Sequence, residues 1–309
     1  MIHTLTLNPA IDKGVYLDGL VLDQVNRVSH ACSNAGGKGI NISRALSKMG
    51  TPSVAYSFAG GPEGEMLRLL SAQDGIETCL IETAAPTRIN VKVVDTKQNT
   101  FTDLNEPGGP VTEEELALLV ADLMERAAPG DLAALSGSIP RGLRPDTYAA
   151  ITRLLREKDV LVAADCDGEA LRHCVRACPD VIKPNNFELS ALVGRELKTR
   201  DALISAAKEL VEQGVGTVLI TLGGDGALSV SGECVCHAAG LKVPVLSTVG
   251  AGDTFLAGYL KAMTLHEPPE RALARAMSAS TAKVQCQGTD MPEKPQLEQY
   301  LETVRVERL

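Results

Sequence analysis

Val160-Leu161-Val162-Ala163-Ala164-Asp165 is a short apolar run that stops on a carboxylate. Such a run, apolar without alternation, suits a strand buried on both faces of a parallel sheet, with helices as the covering layers. The same signature recurs along the chain. Leu5-Thr6-Leu7, Val54-Ala55-Tyr56, Leu132-Ala133-Ala134-Leu135, Val181-Ile182 and Val218-Leu219-Ile220 also read as strands. Helical periods lie between them. Ile42, Ala45, Leu46 and Met49 share one face; Leu203, Ala206, Ala207, Leu210 and Val211 share another, ahead of Gly214. Thr112 and Glu115 have capping-box spacing before Leu116, Leu119, Val120 and Leu123. This alternation predicts an α/β fold with a mostly parallel central sheet and helices on both faces.

Two stretches break the pattern. Residues from about 12 to 35 hold strand-like pieces separated by turn residues. Residues from about 87 to 106 alternate as Ile89, Val91 and Val93 around the polar turn Thr96-Lys97-Gln98-Asn99, a hairpin signature. Hairpins do not fit inside a doubly wound sheet, so a small β-sheet lid projecting from the main body is expected. With no Pro-, Gly- or Ser-rich linker and no internal repeat, residues 1–309 are expected to form a single domain carrying that lid.

Composition narrows the function. The net charge of -9 argues against nucleic acid or a membrane surface as the main partner, since both favour basic patches. A local cluster of Arg and Lys could still hold a small anion. No apolar run approaches the ~18 residues of a membrane span. Met1 to Pro9 reads as a first strand rather than a signal peptide, so a cytoplasmic location and reduced thiols for the eight cysteines are expected. Cys234/Cys236 and Cys174/Cys178 lack zinc-site spacing, and the five histidines are scattered.

In open α/β sheets ligands gather at the carboxyl ends of strands. The polar residues there are Asn8 and Asp12, Ser136-Gly137-Ser138, Asp165, Lys183-Pro184-Asn185-Asn186 with Glu188, and Thr221-Leu222-Gly223-Gly224-Asp225-Gly226. Any one of them could be only a turn or a helix cap. Ala35-Gly36-Gly37-Lys38-Gly39-Ile40-Asn41 opens a helix but lacks Walker A spacing. Gly223 to Gly226 leads into Ala227-Leu228-Ser229-Val230, a further strand, which argues against a dinucleotide fold. Ser247-Thr248-Val249-Gly250-Ala251-Gly252-Asp253 opens an apolar helix containing Phe255, Leu256, Tyr259, Leu260 and Met263. Its glycines let backbone N–H groups approach an anion at the positive end of the helix. Taken alone, Asp253 could equally be a helix-dipole cap.

The ordered set of these elements resembles the PfkB (ribokinase-like) carbohydrate kinase family over essentially the whole chain. The matching elements are Thr6 to Asp12, Ala35 to Asn41, Thr87-Arg88-Ile89-Asn90, Leu135 to Pro140, Ile182 to Glu188, and Ser247 to Asp253. Within the family the chain is similar to the branch of 1-phosphofructokinases and tagatose-6-phosphate kinases. Asn105-Glu106-Pro107-Gly108 looks more like the former.

The resemblance implies ATP-dependent phosphorylation of a ketohexose phosphate, with fructose 1-phosphate converted to fructose 1,6-bisphosphate, and tagatose 6-phosphate as the alternative substrate. It implies Asp253 as base, with Gly250, Ala251 and Gly252 as the anion hole. It assigns Asp12 and Asn41, beside Gly36 and Gly37, to the sugar. Lys38, Arg88 and Asn90 would hold the sugar's existing phosphate, with Ser138 nearby and Arg27 reaching across from a second subunit. Lys183, Asn185, Thr221, Gly223, Gly224, Gly226, Ser247 and Thr248 fall on the ATP side, and Glu188 on Mg²⁺ through water. A homodimer through the lid sheet is the implied assembly. A non-catalytic sugar-phosphate or nucleotide sensor on the same fold is the reading from another class; the presence of Asp253 and its glycines argues against it.

Overall fold

The computed structural model describes residues 1–98 and 100–309; Asn99, the last residue of the expected polar turn, lies outside the described residues. In chain order the elements are β1 (Ile2–Thr6), β2 (Ala10–Leu17), β3 (His30–Gly36), α1 (Lys38–Lys48), β4 (Ser53–Ala59), α2 (Gly61–Gln73), β5 (Glu77–Glu82), β6 (Arg88–Asp95), β7 (Thr100–Asn105) and α3 (Glu113–Arg126). They continue with β8 (Leu132–Ser136), α4 (Thr147–Glu157), β9 (Leu161–Asp165), α5 (Gly168–Arg176), β10 (Val181–Ile182), α6 (Asn186–Val193), α7 (Arg200–Glu212) and β11 (Thr217–Thr221). The last are β12 (Gly226–Ser231), β13 (Val235–Ala239), α8 (Ala251–Thr264), α9 (Pro269–Lys283), α10 (Lys294–Glu298) and β14 (Val306–Arg308).

The main sheet runs β14-β13-β12-β11-β10-β9-β8-β1-β4-β5. From β11 to β5 every pairing is parallel; β12, β13 and β14 add an antiparallel edge. The apolar runs are buried on both faces because alternate residues feed two separate cores. Ala133 and Leu135 of β8, with Val218 and Ile220 of β11, join the core that also holds Leu119, Ile151 and Leu203. Leu132, Ala134 and Leu219 point the other way, against Ile42, Phe255, Leu260 and Leu273.

The chain leaves β1 toward β4 and β5 on one side and later returns to β8 on the other. This reversal of strand order opens a crevice at the carboxyl ends of β1 and β8, where such sheets bind ligands. The second sheet, ordered β3-β2-β6-β7, stands over that end. Its strands reach further inward than the alternation suggested, beginning at Ala10 and ending at Gly36. Ile11 and Ala35 fasten this root by packing against Ile40, Ala55 and Leu67. In β9 the strand begins at Leu161, so Asp165 is its last residue rather than the one after it.

Candidate functional site

Two clefts meet at the turn that opens α8. One, of about 410 Å³, has an apolar wall of Val243, Val245, Phe255 and Met277. Its polar rim is Asn185, Thr221, Gly223, Gly224, Gly226, Thr248, Ala251 and Gly252. The other, of about 400 Å³, is polar. It is lined by Asn8, Asp12, Gly37, Lys38, Asn41, Arg88, Asn90, Lys92, Ser138, Gly250 and Asp253, among others. The α8 turn is the shared wall.

Gly250 makes that wall possible. It adopts φ 74°, ψ 3°, left-handed geometry that a side chain disfavours, and so turns the chain sharply into the helix. The Ala251 N–H closes the turn on the Thr248 carbonyl at 3.2 Å. In this geometry the Ala251 N–H is engaged within the turn. Among the described residues, the N–H groups of Gly250, Gly252 and Asp253 carry no backbone partner, so these are the donors facing the clefts. Ser247 lies beneath the loop: its N–H donates to Val284 O at 3.2 Å, and its hydroxyl accepts from Val249 N–H.

Asp253 is buried at the polar cleft, 7% exposed. Burial raises its pKa, and the negative charge of Asp165 adds to this; Lys38, an Asn41 hydrogen bond and Lys183 oppose it. The result is a carboxylate more basic than usual, a property suited to accepting a proton. Asn41 Nδ2 holds one of its oxygens at 2.8 Å.

Asp165 sits 1% exposed between two ammonium groups. Lys38 Nζ is 3.0 Å from Oδ1 and Lys183 Nζ is 3.3 Å from Oδ2. Burial alone would raise its pKa, but Lys183 and Lys38 outweigh burial and hold it below the usual range. Asp165 in turn pushes the Lys38 pKa upward. Lys183 lies under the α8 turn: a methyl group at Gly252 would stand 3.3 Å from its Nζ. The trio therefore places positive charge beneath both clefts. Asp165 was visible at a strand end, but nothing in sequence spacing singled out its role as counter-ion.

The second sheet supplies the rest of the polar cleft. Strand alternation puts Arg88, Asn90 and Lys92 on one face of β6, and Asn90 pairs in register with Asp12 of β2. Asn90 Nδ2 donates to Asp12 Oδ1 at 3.0 Å. Gly36 leaves room for that carboxylate, since a methyl group there would lie 2.6 Å from Asp12 Cγ. Arg88 donates to the carbonyls of Asn8, Pro9 and Glu106, tying the β1–β2 turn to the end of β7. Asn8 Nδ2 reaches Ser138 Oγ at 3.1 Å, across the crevice between β1 and β8. Among the described residues, Asn41 Oδ1 and Asn90 Oδ1 are buried beside this cleft without a hydrogen-bond partner. Lys92 went unread in the sequence, although the period-2 alternation from Arg88 through Asn90 points to it.

Five expected residues line neither cleft: Gly36, Lys183 and Ser247 back their walls, while Arg27 and Glu188 stand apart. Arg27 is exposed on the β2–β3 connection and lines neither cleft. Glu188 lines neither cleft, because it completes a capping box at the start of α6: its Oε2 accepts from Asn185 N–H at 2.8 Å, while Asn185 Oδ1 accepts from Phe187 and Glu188.

A turn with a raised-pKa carboxylate on one side and bare N–H groups between two clefts is the arrangement of a phosphotransferase, with acceptor and donor brought to one point. The comparisons agree. Residues 5–296 match the pfkB family of carbohydrate kinases. The chain is 33% identical to the 1-phosphofructokinase of Bacillus subtilis over the full length of both chains, and 35% identical to that of Rhodobacter capsulatus, covering 100% of this chain and 98% of the relative. A crystal structure of phosphofructokinase-2 from Escherichia coli, in complex with substrates and products, superposes with a TM-score of 0.94 at 28% identity, covering 98% of this chain and 99% of the other. A tetrameric inhibited form of that enzyme matches at 0.92 and 28%, covering 98% of each chain. The chain belongs to the pfkB family of carbohydrate kinases. It is an ATP-dependent sugar-phosphate kinase. Among the described residues no helix is long and apolar enough to cross a membrane.

Proposed function

We propose that this kinase transfers the γ-phosphoryl group of ATP to fructose 1-phosphate, forming fructose 1,6-bisphosphate and ADP. The observation that carries this reading is the set of cations in the polar cleft. Lys38, Arg88 and Lys92 line the space in front of Asp253, where they face Asp12, Asp167 and Asp253, and a neutral sugar would not call for three such groups. The full-length likeness to 1-phosphofructokinases favours this particular ketohexose phosphate.

In this reading Asp12, Asn41 and Asn90 fix the sugar hydroxyls, and the cations hold its phosphate. Ser138, held by Asn8, borders the same space. The acceptor hydroxyl oxygen forms a bond to the γ-phosphorus as the bond to the β–γ bridging oxygen breaks. Asp253 takes the hydroxyl proton, and ADP leaves with the bridging electron pair. The N–H groups of Gly250 and Gly252, with Lys183 below, stabilise the equatorial oxygens. The apolar wall of the other cleft takes the base of ATP, and its glycine-rich rim the ribose and phosphates.

Magnesium would enter with the nucleotide and neutralise its phosphate charge. The donor set fits a hard ion that keeps much of its water. Among the described residues no group of three or more His, Cys, Asp or Glu could cage a metal. The capping box uses Glu188 Oε2 and leaves Oε1 for a metal-bound water.

The four-stranded sheet serves as a lid over the sugar and as the dimer contact. Leu22, Val25, Phe101 and Leu104 are exposed on it and its connection, and an apolar sheet surface of this kind favours pairing. Pairing would carry Arg27 toward a neighbouring subunit. Light scattering distinguishes a dimer from a monomer or a tetramer.

The substrate assignment is tested by coupled ADP release with fructose 1-phosphate, fructose 6-phosphate, tagatose 6-phosphate and ribose. The highest kcat/KM is expected for fructose 1-phosphate. A higher value for another ketohexose phosphate reassigns the substrate, and turnover with ribose alone contradicts the phosphate-binding role of the polar cleft.

A further inference from the structure

Lys283, the last residue of α9, is 0% exposed, a rare state for a lysine. Its side chain runs to the back of the α8 turn, where a methyl group on Gly250 would meet its Cε at 3.3 Å. Its Nζ donates to the Gly288 carbonyl at 2.9 Å. The loop carrying Gly288 is fastened to β3 and α1, the two elements that flank Gly37 in the wall of the polar cleft. Thr289 accepts Asn34 Nδ2 of β3 at 2.6 Å through its hydroxyl and Arg44 Nη1 of α1 at 3.1 Å through its carbonyl. A side chain at Gly288 would strike the Tyr16 hydroxyl of β2. The α8 turn thus lies between two buried lysines, Lys183 beneath Gly252 and Lys283 behind Gly250.

We propose that Lys283 is a positioning residue for phosphoryl transfer: its buried ammonium braces Gly250 against the Gly288 loop and adds fixed positive charge behind the anion site. This rests on the phosphotransfer reading of the α8 turn. A charge one layer behind the donors contributes to the transition state without touching it, because electrostatics act strongly in a dry site.

The same burial makes the charge titratable. Desolvation, with Arg44 of α1 adding to it, pushes the Lys283 pKa down to about 8; Cys286 and Asp290 of the following loop and Asp253 of α8 oppose this. Tyr16 of β2 faces the same loop, with its own pKa pushed up to about 12, so it stays neutral over this range. The charged lysine is the competent form, so activity falls as pH rises through its pKa. A bound nucleotide, being anionic, favours the ammonium and moves this limb to higher pH in kcat than in kcat/KM.

The test compares the wild-type chain with Lys283→Met, using ATP and fructose 1-phosphate from pH 6 to 10. Turnover by the wild type examines the underlying reading separately. At pH 7 we expect kcat of Lys283→Met to fall by about tenfold, less than the ~10²-fold typical of removing a direct oxyanion donor. Both KM values should change less than about threefold, since a positioning charge acts mainly in the transition state. The ratio of wild-type to variant activity should fall toward one above about pH 8 as wild-type Lys283 loses its proton. A pH-independent ratio overturns the proposal, as does a loss that only tracks the unfolded fraction in a thermal melt. If Lys283→Met does not fold, the wild-type profile decides: kcat/KM flat from pH 7 to 10 overturns it.

Discussion

Asn41 Nδ2 donates a 2.8 Å hydrogen bond to Asp253 Oδ2, joining the first turn of α1 to the first turn of α8. One glycine-opened helix thereby orients the carboxylate of the other. The bond leaves Asp253 Oδ1 for an acceptor hydroxyl and opposes the burial that raises the Asp253 pKa.

Asn41→Ala is therefore expected to act on rate and on pH together. The kcat should fall about tenfold, the equivalent of a charge-assisted bond worth ~1.5 kcal/mol. Asp253 must be ionised to accept a proton, so activity falls as pH drops through its pKa. Loss of the Asn41 bond raises that pKa further, and the acidic limb of kcat/KM should move to higher pH. A pH–rate profile of both proteins checks the direction.

Asp165→Asn should be the most destabilising change at the site. It leaves the buried Lys183 and the partly exposed Lys38 without their counter-ion; breaking a buried pair costs about 3–5 kcal/mol, and the solvent access of Lys38 puts the loss at the lower end of that range. The wild-type stabilisation has a defined pH sense. The folded Asp165 pKa is depressed, so its contribution is present above the unfolded value of about 3.9 and is lost as pH falls through the folded value. Urea unfolding at pH 7 should show the full difference between the two proteins, and unfolding below about pH 4 a smaller one.

Lys92→Met should raise KM for the sugar phosphate by about tenfold with little change in kcat, as expected when a charge-assisted phosphate contact contributes equally to ground and transition states. Arg88→Ala should do more, because Arg88 also ties together the carbonyls of Asn8, Pro9 and Glu106. Both losses should be larger for a phosphorylated sugar than for its unphosphorylated counterpart. Steady-state kinetics on such a pair measures the difference.

Much of this architecture was legible in the sequence. The unbroken apolar runs Leu132 to Leu135 and Val218 to Ile220 became central strands because alternate side chains fill two different cores. The capping box at Thr112 and Glu115 and the hairpin after Thr221 formed as local chemistry required. What sequence could not give was partnership across the fold. Asp165 is a counter-ion only because β9 lies beside β10 and faces the start of α1. Lys283 belongs to no motif in the sequence, and it is the α8 turn and the Gly288 loop that enclose it in the fold. Ala251 shares a motif with Gly250 and Gly252, yet the left-handed turn at Gly250 directs its N–H to Thr248.

In the proposed reaction Asp253 accepts the proton of the fructose 1-phosphate hydroxyl as that oxygen takes the γ-phosphoryl group directly from ATP. The most direct measurement is the product formed by the wild-type chain and by Asp253→Asn under single-turnover conditions with Mg²⁺. The wild type should give fructose 1,6-bisphosphate and ADP in equal amounts. Asp253→Asn, folded to the same melting temperature or higher, should form both more slowly by roughly 10²–10⁴-fold. Fructose 1,6-bisphosphate formation at near wild-type rate by the variant, or ADP without bisphosphate from the wild type, would contradict the account.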